Sequence, residues 1–144
     1  MDIKFYNSLP KEAKKIRELV FIEEQGFQGE FDEIDSYAKH LVLFDDANPV
    51  ATCRFFQEEK SGEYVIGRIA VMRQYRGQNI GARILKIVEE KISELEGTYI
   101  ILHAQLRVKK FYEKQGYTSY GEIDFDEDCP HIWMRKKVGG VKNE

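Results

Sequence analysis

Residues 73–82 combine basic side chains, glycine and the start of a helical pattern, a combination that can bind an anion. The segment RQYRGQNIGA contains Arg73 and Arg76, and Gly77 carries no side chain that would block a close approach. From Ile80 onward, apolar residues recur near the i, i+3, i+4, i+7 spacing of an amphipathic helix. The first turn of a helix leaves backbone N–H groups unpaired at the positive end of the peptide dipole. This pattern favours a phosphate or pyrophosphate ligand; the alternative is a strand–turn–helix whose solvated basic turn binds nothing.

Acidic side chains concentrate elsewhere, in residues 23–35 and 122–128. A cleft lined by one sign of charge concentrates ligands of the opposite sign, so these segments are candidates for the approach of a cationic substrate. For residues 23–35, a solvated acidic loop is the alternative. His103 and His131 are candidate bases, although a hydrogen-bonded strand residue is the commoner role of a histidine. Neither histidine has a carboxylate at ligand spacing, and we expect no metal site.

The elements that must position these residues follow from hydrophobic periodicity. Strands are predicted at residues 3–7, 40–44, 50–56, 64–72, 98–104, 118–123 and 131–137, and helices before Gly26, from Ile80 to Gly97 and from Val108 to Gln115. A strand, a crossover helix and another strand imply that the fourth and fifth strands lie parallel. The order β-α-βββ-α-β-α-ββ predicts an α/β fold of the mixed α+β kind. Its central sheet would be mostly antiparallel, with about six or seven strands flanked by helices.

Length and composition indicate one globular domain, residues 1–138, followed by a polar tail, residues 139–144. The net charge of −3 gives no general case for nucleic-acid binding. No N-terminal signal segment and no apolar run of membrane-spanning length is visible, so we expect a cytoplasmic protein without a membrane partner. Cys53 and Cys129 match no zinc spacing and suit a reducing compartment.

Two segments resemble sequence motifs of the GCN5-related N-acetyltransferase (GNAT) superfamily. The first, RIAVMRQYRGQNIGARIL, resembles the acetyl-CoA pyrophosphate loop R/Q-x-x-G-x-G/A, with Arg76 at the first place and Gly81 at the last. Asn79 stands where the family usually has its first glycine, and asparagine tolerates left-handed backbone better than most residues. The second, AQLRVKKFYEKQGY, resembles the family segment N-x-x-A-x-x-[FY]-Y-x-x-x-G-[FY], with Gln105 at the Asn place. A narrower likeness, in VFIEEQGFQGEFDEIDSYAKHLV, is to the small bacterial acetyltransferases related to ElaA and YjcF.

The resemblance implies the GNAT fold and direct transfer of an acetyl group from acetyl-CoA, as co-substrate, to an amine. The cofactor-binding residues that it implies are Ile69, Ala70, Val71, Arg76, Gly77, Gln78, Asn79, Ile80, Gly81, Ala82, Gln105 and Phe111. Tyr112 stands at the family's position for the acid that protonates the leaving thiolate; the alternative is an aromatic residue that only packs. A tyrosine suits this role because its hydroxyl, with an ordinary pKa of about 10, is protonated at neutral pH.

The attacking amine must lose a proton, and the candidate bases are Glu23, Glu24, His103 and His131. Glu24 is preferred, since it lies in the EEQG segment of the narrower likeness. The expected acceptor is a small-molecule amine, and the two acidic segments favour a cationic one. A non-catalytic acetyl-CoA-binding or interaction module is the alternative function. A sheet with a free edge strand can also pair with a second copy, which makes a homodimer an option.

Overall fold

The computed structural model describes residues 1–59 and 62–139. These residues form the strands β1 (Asp2–Tyr6), β2 (Lys39–Asp45), β3 (Asn48–Gln57), β4 (Glu63–Val71), β5 (Tyr99–Gln105), β6 (Thr118–Asp126) and β7 (Cys129–Lys137). The helices are α1 (Lys11–Arg17), α2 (Ile80–Glu94) and α3 (Lys109–Lys114). Short 3-10 turns occupy Glu33–Ser36, Arg73–Tyr75 and Leu106–Val108. This order confirms the predicted β-α-βββ-α-β-α-ββ arrangement. Of the predicted polar tail, residues 140–144 lie outside the described part of the chain.

The strands form a seven-stranded mixed sheet in the order β1-β2-β3-β4-β5-β7-β6. The β4–β5 pair is parallel, as the strand–helix–strand order predicts, whereas β1–β2, β2–β3, β5–β7 and β6–β7 are antiparallel. Among the described residues, no helix is long and apolar enough to span a lipid bilayer.

The chain divides into two compact units, of which the first comprises Met1–Phe56 and Ile66–Val88. Here α1 presents Ala13 and Ile16 on one face, at the spacing of a helical turn, and these side chains pack in one buried cluster with Val42 of β2 and Ala70 of β4. Complete burial of a side chain such as Ile16 stabilises the fold by about 2 kcal/mol. This packing seats the N-terminal helix beside the part of β4 that precedes the basic turn.

The helix that begins with α1 continues as a π-helical segment, Glu18–Glu24. Its apolar residues Val20 and Phe21 are buried in the same cluster. Gly26 follows the segment by two residues, has a φ of 79° and donates its N–H to Ile22 O at 3.0 Å. Periodicity predicts a helix as far as this glycine, but the wider π winding is not visible in the sequence. π-Helical turns are rare and are often found at functional sites.

The second unit comprises Gln57–Val65 and the chain from Glu89 onward. β5 lies between β4 and β7, and its alternate residues Ile100, Leu102 and Ala104 are buried. This confirms the predicted central strand, although the intervening residues are only partly buried. α3 ends just before Gly116, whose φ of 97° allows the chain to leave the helix in a left-handed turn, as predicted.

Candidate functional site

The basic turn lies in the first unit, between the end of β4 and the start of α2. After the 3-10 turn Arg73–Tyr75, Gly77 and Asn79 both adopt left-handed backbone, with φ angles of 82° and 61°. Asn79 therefore takes the conformation that a glycine adopts most easily, and asparagine does so at lower cost than other residues with a side chain. The asparagine at this place in the motif thus has a left-handed backbone, which glycine also adopts readily.

The turn directly precedes α2, which begins at Ile80. In the described part of the chain, the first backbone hydrogen bond of this helix runs from Arg83 N to Asn79 O, at 3.1 Å. The N–H groups of Ile80, Gly81 and Ala82 precede that bond at the positive end of the helix dipole. The Arg76 N–H is different, because it donates to Arg73 O at 3.2 Å. The chemistry of this segment suits an anion that is bound mainly by the N–H groups after Arg76.

The Arg76 guanidinium donates hydrogen bonds to Glu24 and Val71, two residues that were also predicted to belong to the site. Its Nε donates to Val71 O at 2.9 Å, and its two terminal nitrogens donate to the two carboxylate oxygens of Glu24 at 2.9 and 2.7 Å. Arg73 adds a third contact to Glu24, at 3.0 Å. The hydrogen bonds to Glu24 raise the pKa of the Arg76 guanidinium. We call Arg76, Glu24 and Val71 the Arg76 brace.

The strand that ends at Val71 is irregular. Arg68, inside β4, has a φ of 53°, the left-handed backbone that marks some β-bulges. The parallel pairing with β5 covers only Glu63–Val65 of β4 among the described residues. Past the irregularity, Ala70 is buried, and Met72 N donates to Val50 O at 2.8 Å. The sequence offers no signal for this irregularity.

A network of buried charges lies against Arg68. Its Nε lies 2.9 Å from Glu30 Oε2, and the Arg17 Nε donates to the same oxygen at 2.9 Å. Arg17 also donates to Asp35 Oδ1 at 2.8 Å, and Arg54 joins Asp35 at 2.9 Å. Arg17, Glu30 and Asp35 are only 1, 4 and 6% exposed. We call these five residues the arginine–carboxylate network; Arg54 links it to Asp32 at 2.7 Å.

This network corrects the expectation that residues 23–35 form an acidic surface that attracts cations. Glu30, Asp32 and Asp35 all lie against arginines, so their charges are compensated within the fold. The solvated-loop alternative is also wrong for Glu30 and Asp35, which are buried. The three arginines come from separate elements, and sequence spacing gives no sign that they meet the acidic loop.

The pKa values of the two buried carboxyl groups in this network, Asp35 and Glu30, shift in opposite directions. Burial acts to raise the pKa of Asp35, but hydrogen bonds from Arg17 and Arg54 outweigh it and hold the pKa well below its usual range. For Glu30, burial dominates over the attraction of Arg68 and Arg17, and its pKa is raised.

Gln105, Phe111 and Tyr112 lie in the second unit. Gln105 ends β5, and its Oε1 accepts a hydrogen bond from Arg107 at 3.0 Å. Tyr112, in α3, is 9% exposed, and its ring packs edge to face against Phe111 and Tyr117 at 5.0 and 6.0 Å between ring centroids. The ring of Tyr112 thus packs as a core aromatic residue does. These ring contacts do not involve its hydroxyl, which is the group with a possible chemical role.

The two candidate histidines stack in the second unit. His103 Nε2 lies 2.7 Å from Asp124 Oδ1, and the His103 ring stacks on His131 and Trp133 at 4.6 and 4.4 Å. The hydrogen bond from His103 lowers the pKa of Asp124. No group of three or more possible metal ligands is found in residues 1–59 and 62–139.

Residues 9–138 match the family model of the acetyltransferase (GNAT) domain. The chain belongs to the GNAT acetyltransferase family. It is 33% identical to the uncharacterized N-acetyltransferase YjcF of Bacillus subtilis over 129 residues, which cover 88% of this chain and 91% of YjcF. The resemblance stated from the two motifs is therefore confirmed.

The fold is that of solved acyltransferases of this family. The crystal structure of Escherichia coli ElaA superposes with a TM-score of 0.83 at 24% identity, covering 94% of this chain and 98% of that one. An aminoglycoside 6′-N-acetyltransferase, solved in complex with coenzyme A, superposes with a TM-score of 0.74 at 18% identity, covering 95 and 97% of the two chains. At these identities the likeness shows the fold alone.

Proposed function

We propose that this acetyltransferase is an acetyl-CoA-dependent N-acetyltransferase that moves an acetyl group directly to a primary amine in a ternary complex. The observation that carries the proposal is the turn before α2. Its two left-handed residues, Gly77 and Asn79, lead into the N–H groups of the first turn of α2, at the place of the family's pyrophosphate motif. Family membership and the coenzyme A bound to a neighbour of the same fold support the same cofactor.

In this proposal the cofactor residues divide by the chemistry that they offer. The N–H groups from Gly77 to Ala82 bind the pyrophosphate, and Arg76 begins that loop. The backbone of Ile69–Val71 pairs with the pantetheine arm, and Gln105 and Phe111 contribute further contacts. The Val71 N–H donates to the thioester oxygen, where negative charge develops. Loss of one such donor typically costs about 3 kcal/mol of transition-state stabilisation.

Tyr112 is proposed as the acid. The nitrogen of the neutral amine attacks the acetyl carbon, the new N–C bond forms, and the C–S bond breaks. The sulfur leaves as a thiolate and takes its proton from the Tyr112 hydroxyl, while the amine loses one proton to a base or to water. Atoms and charges balance, with the N-acetylated amine and coenzyme A as products.

The candidate bases differ in the hydrogen bonds that they make. Both carboxylate oxygens of Glu24 accept hydrogen bonds from arginines, and a base would have to give these up to receive a proton. His103 is instead oriented by Asp124, the arrangement that holds a histidine in one tautomer. We therefore propose His103 ahead of Glu24 as the base.

The acceptor is proposed as a small-molecule primary amine. A cationic acceptor now depends on the second acidic segment, since the charges of Glu30, Asp32 and Asp35 are compensated by arginines. Glu122 and Asp126 of that segment are exposed on β6.

The second candidate function is a binding module that keeps the cofactor site without catalysis; the burial of Tyr112 in an aromatic cluster is the observation that favours it. Calorimetry with acetyl-CoA, followed by detection of free thiol with a panel of primary amines, separates the two. The enzyme proposal expects binding together with thiol release that depends on one class of amine. Binding without release on any amine would support the module, and an absence of binding would contradict both.

A further inference from the structure

We propose that Arg76 and Glu24 are positioning residues: the Arg76 brace fixes the pyrophosphate loop, so Glu24 acts on acetyl-CoA affinity through Arg76 and not as a base. This inference rests on the proposed function, because it assigns roles within the same cofactor site.

The first argument is that every nitrogen of the Arg76 guanidinium donates a hydrogen bond within the protein. All three of its nitrogens donate hydrogen bonds, at 2.9 Å to Val71 O and at 2.9 and 2.7 Å to Glu24. The two bonds to Glu24 are parallel, one to each carboxylate oxygen, which is the planar fork that arginine forms and lysine does not. A guanidinium bound in this way has a fixed orientation. Its role is to hold backbone in place, in contrast to a flexible cation that reaches for a phosphate.

The second argument is what the brace connects. Val71 is the last residue of β4, and its N–H is the donor proposed for the thioester oxygen. Arg76 lies one residue before Gly77, where the left-handed turn begins. Glu24 is the last residue of the π-helical segment, whose apolar side is buried in the core of the first unit. A single side chain thus ties the proposed thioester and pyrophosphate contacts to a firmly packed helix.

The third argument is that the charge on Glu24 would otherwise be unfavourable beside an anion site. A carboxylate near a phosphate repels it and weakens binding, unless its charge is used elsewhere. Here Arg73 and Arg76 both contact Glu24, so its charge is compensated and its geometry serves the loop. A site built with precision needs such supporting contacts behind the groups that touch the ligand.

The test is a double-mutant cycle of Glu24→Gln and Arg76→Gln, read as the Kd for acetyl-CoA by calorimetry. The brace predicts that each single variant binds acetyl-CoA about tenfold more weakly. The double variant should be little worse than Arg76→Gln alone, because each single variant already breaks the Glu24–Arg76 pair. Glu18→Gln is the matched control, since it makes the same charge change in the same π-helical segment, and no ion pair is found for Glu18 among the described residues. Its Kd should match that of the wild type.

Two results would overturn the brace. If Glu24→Gln tightened acetyl-CoA binding or left it unchanged while Arg76→Gln weakened it, Arg76 would be a direct phosphate ligand. If Glu24→Gln lowered kcat at an unchanged Kd, Glu24 would be the base.

A measurement without ligand separates this inference from the proposed function. NMR relaxation of the Gly77 and Asn79 amides in the free protein should show larger amplitude motion in Glu24→Gln than in the wild type or Glu18→Gln. If the wild type failed to bind acetyl-CoA, the proposed function would fall while this readout still tested the brace. Unchanged loop motion in Glu24→Gln would contradict the brace, whatever the protein binds.

Discussion

Asn79 shows how one residue can decide whether a motif survives a substitution. Its φ of 61° is a conformation that most side chains reach only at a cost, and asparagine is among the few that adopt it routinely. By residue type, Asn79 departs from the glycine of the motif. Its left-handed φ, however, is one that glycine adopts readily.

Replacing Asn79 by alanine should weaken the loop, because alanine in left-handed backbone costs about 1 kcal/mol. We expect lower thermal stability and a several-fold higher Kd for acetyl-CoA. Asn79→Gly is the matched variant and should keep both properties close to those of the wild type. Equal behaviour of the two variants would show that the left-handed backbone at residue 79 does not matter for binding.

Tyr112→Phe removes the proposed acid and keeps the ring that packs against Phe111 and Tyr117. We expect kcat to fall by about 100-fold or more, with the Kd for acetyl-CoA unchanged. Steady-state kinetics together with calorimetry measures both quantities.

The control for that experiment is Tyr117→Phe, in the same aromatic group. Its hydroxyl donates to Glu89 at 2.8 Å, so its loss should cost about 1 kcal/mol of stability and leave kcat alone. A wild-type kcat in Tyr112→Phe would leave Tyr112 with a packing role only.

At the scale of elements, the arginine–carboxylate network joins α1, the acidic loop, β3 and the irregular part of β4. Arg68 of β4 and Arg17 of α1 share the Glu30 carboxylate, while Arg17 and Arg54 share Asp35. Arg17, Glu30, Arg54 and Asp35 are nearly removed from water, so the stability of each of these charges depends on the presence of its partners. The network therefore holds the loop against β4 next to its left-handed residue.

Asp35→Asn should destabilise the protein by about 3 kcal/mol, since it leaves parts of two buried guanidinium groups uncompensated. Chemical unfolding measures the change in free energy. Glu33→Gln, an exposed neighbour in the same loop, is the matched control and should change stability by less than about 0.5 kcal/mol. A small effect of Asp35→Asn would indicate that water already reaches this network.

The same carboxylate predicts a pH dependence. The pKa of Asp35 is lower in the folded protein than its unfolded value of about 3.9, so its contribution is fully present above that value and is lost as pH falls through the folded pKa. The stability difference between the wild type and Asp35→Asn should therefore shrink as the pH is lowered from about 5 toward 2. Glu30, whose pKa is raised, contributes to stability with the opposite pH dependence. Both proteins contain Glu30, so its contribution cancels when their stabilities are subtracted. A difference that stayed constant over this range would contradict the assigned role of Asp35.

At the scale of the whole molecule, family membership supports acetyl transfer in general terms, and the charge of the surface bears on the proposed acceptor. The net charge is −3, and the exposed acidic residues of β6 remain available to attract a cation. If the acceptor is cationic, its KM should rise with ionic strength, because salt screens charges beyond about 10 Å at 0.1 M. A diamine and a neutral-chain amine of equal length, compared at low and high salt, provide the measurement. Equal salt dependence for the two would contradict a cationic preference.

Much of this architecture was predictable, because the signals for it are local. Ile80–Glu94 was recognisable as a helix from its apolar spacing, and Gly97 and Gly116 marked the ends of helices. The parallel β4–β5 pair followed from the helix between the two strands. The turn proposed to bind an anion was visible for the same reason, since its basic residues and Gly77 directly precede the start of a helix.

Charge partners were not predictable, because they depend on which elements pack together. Glu24 and Arg76 are 52 positions apart, and no spacing rule pairs them. The sequence predicted that the acidic loop is a surface that attracts cations. In the structure, Arg17, Arg54 and Arg68 lie against this loop. Sequence patterns within a few residues thus determined the elements and the family, and they located the turn that is proposed to bind the cofactor. Tertiary packing decided which charges are compensated and buried, and with that the roles open to Glu24 and Arg76.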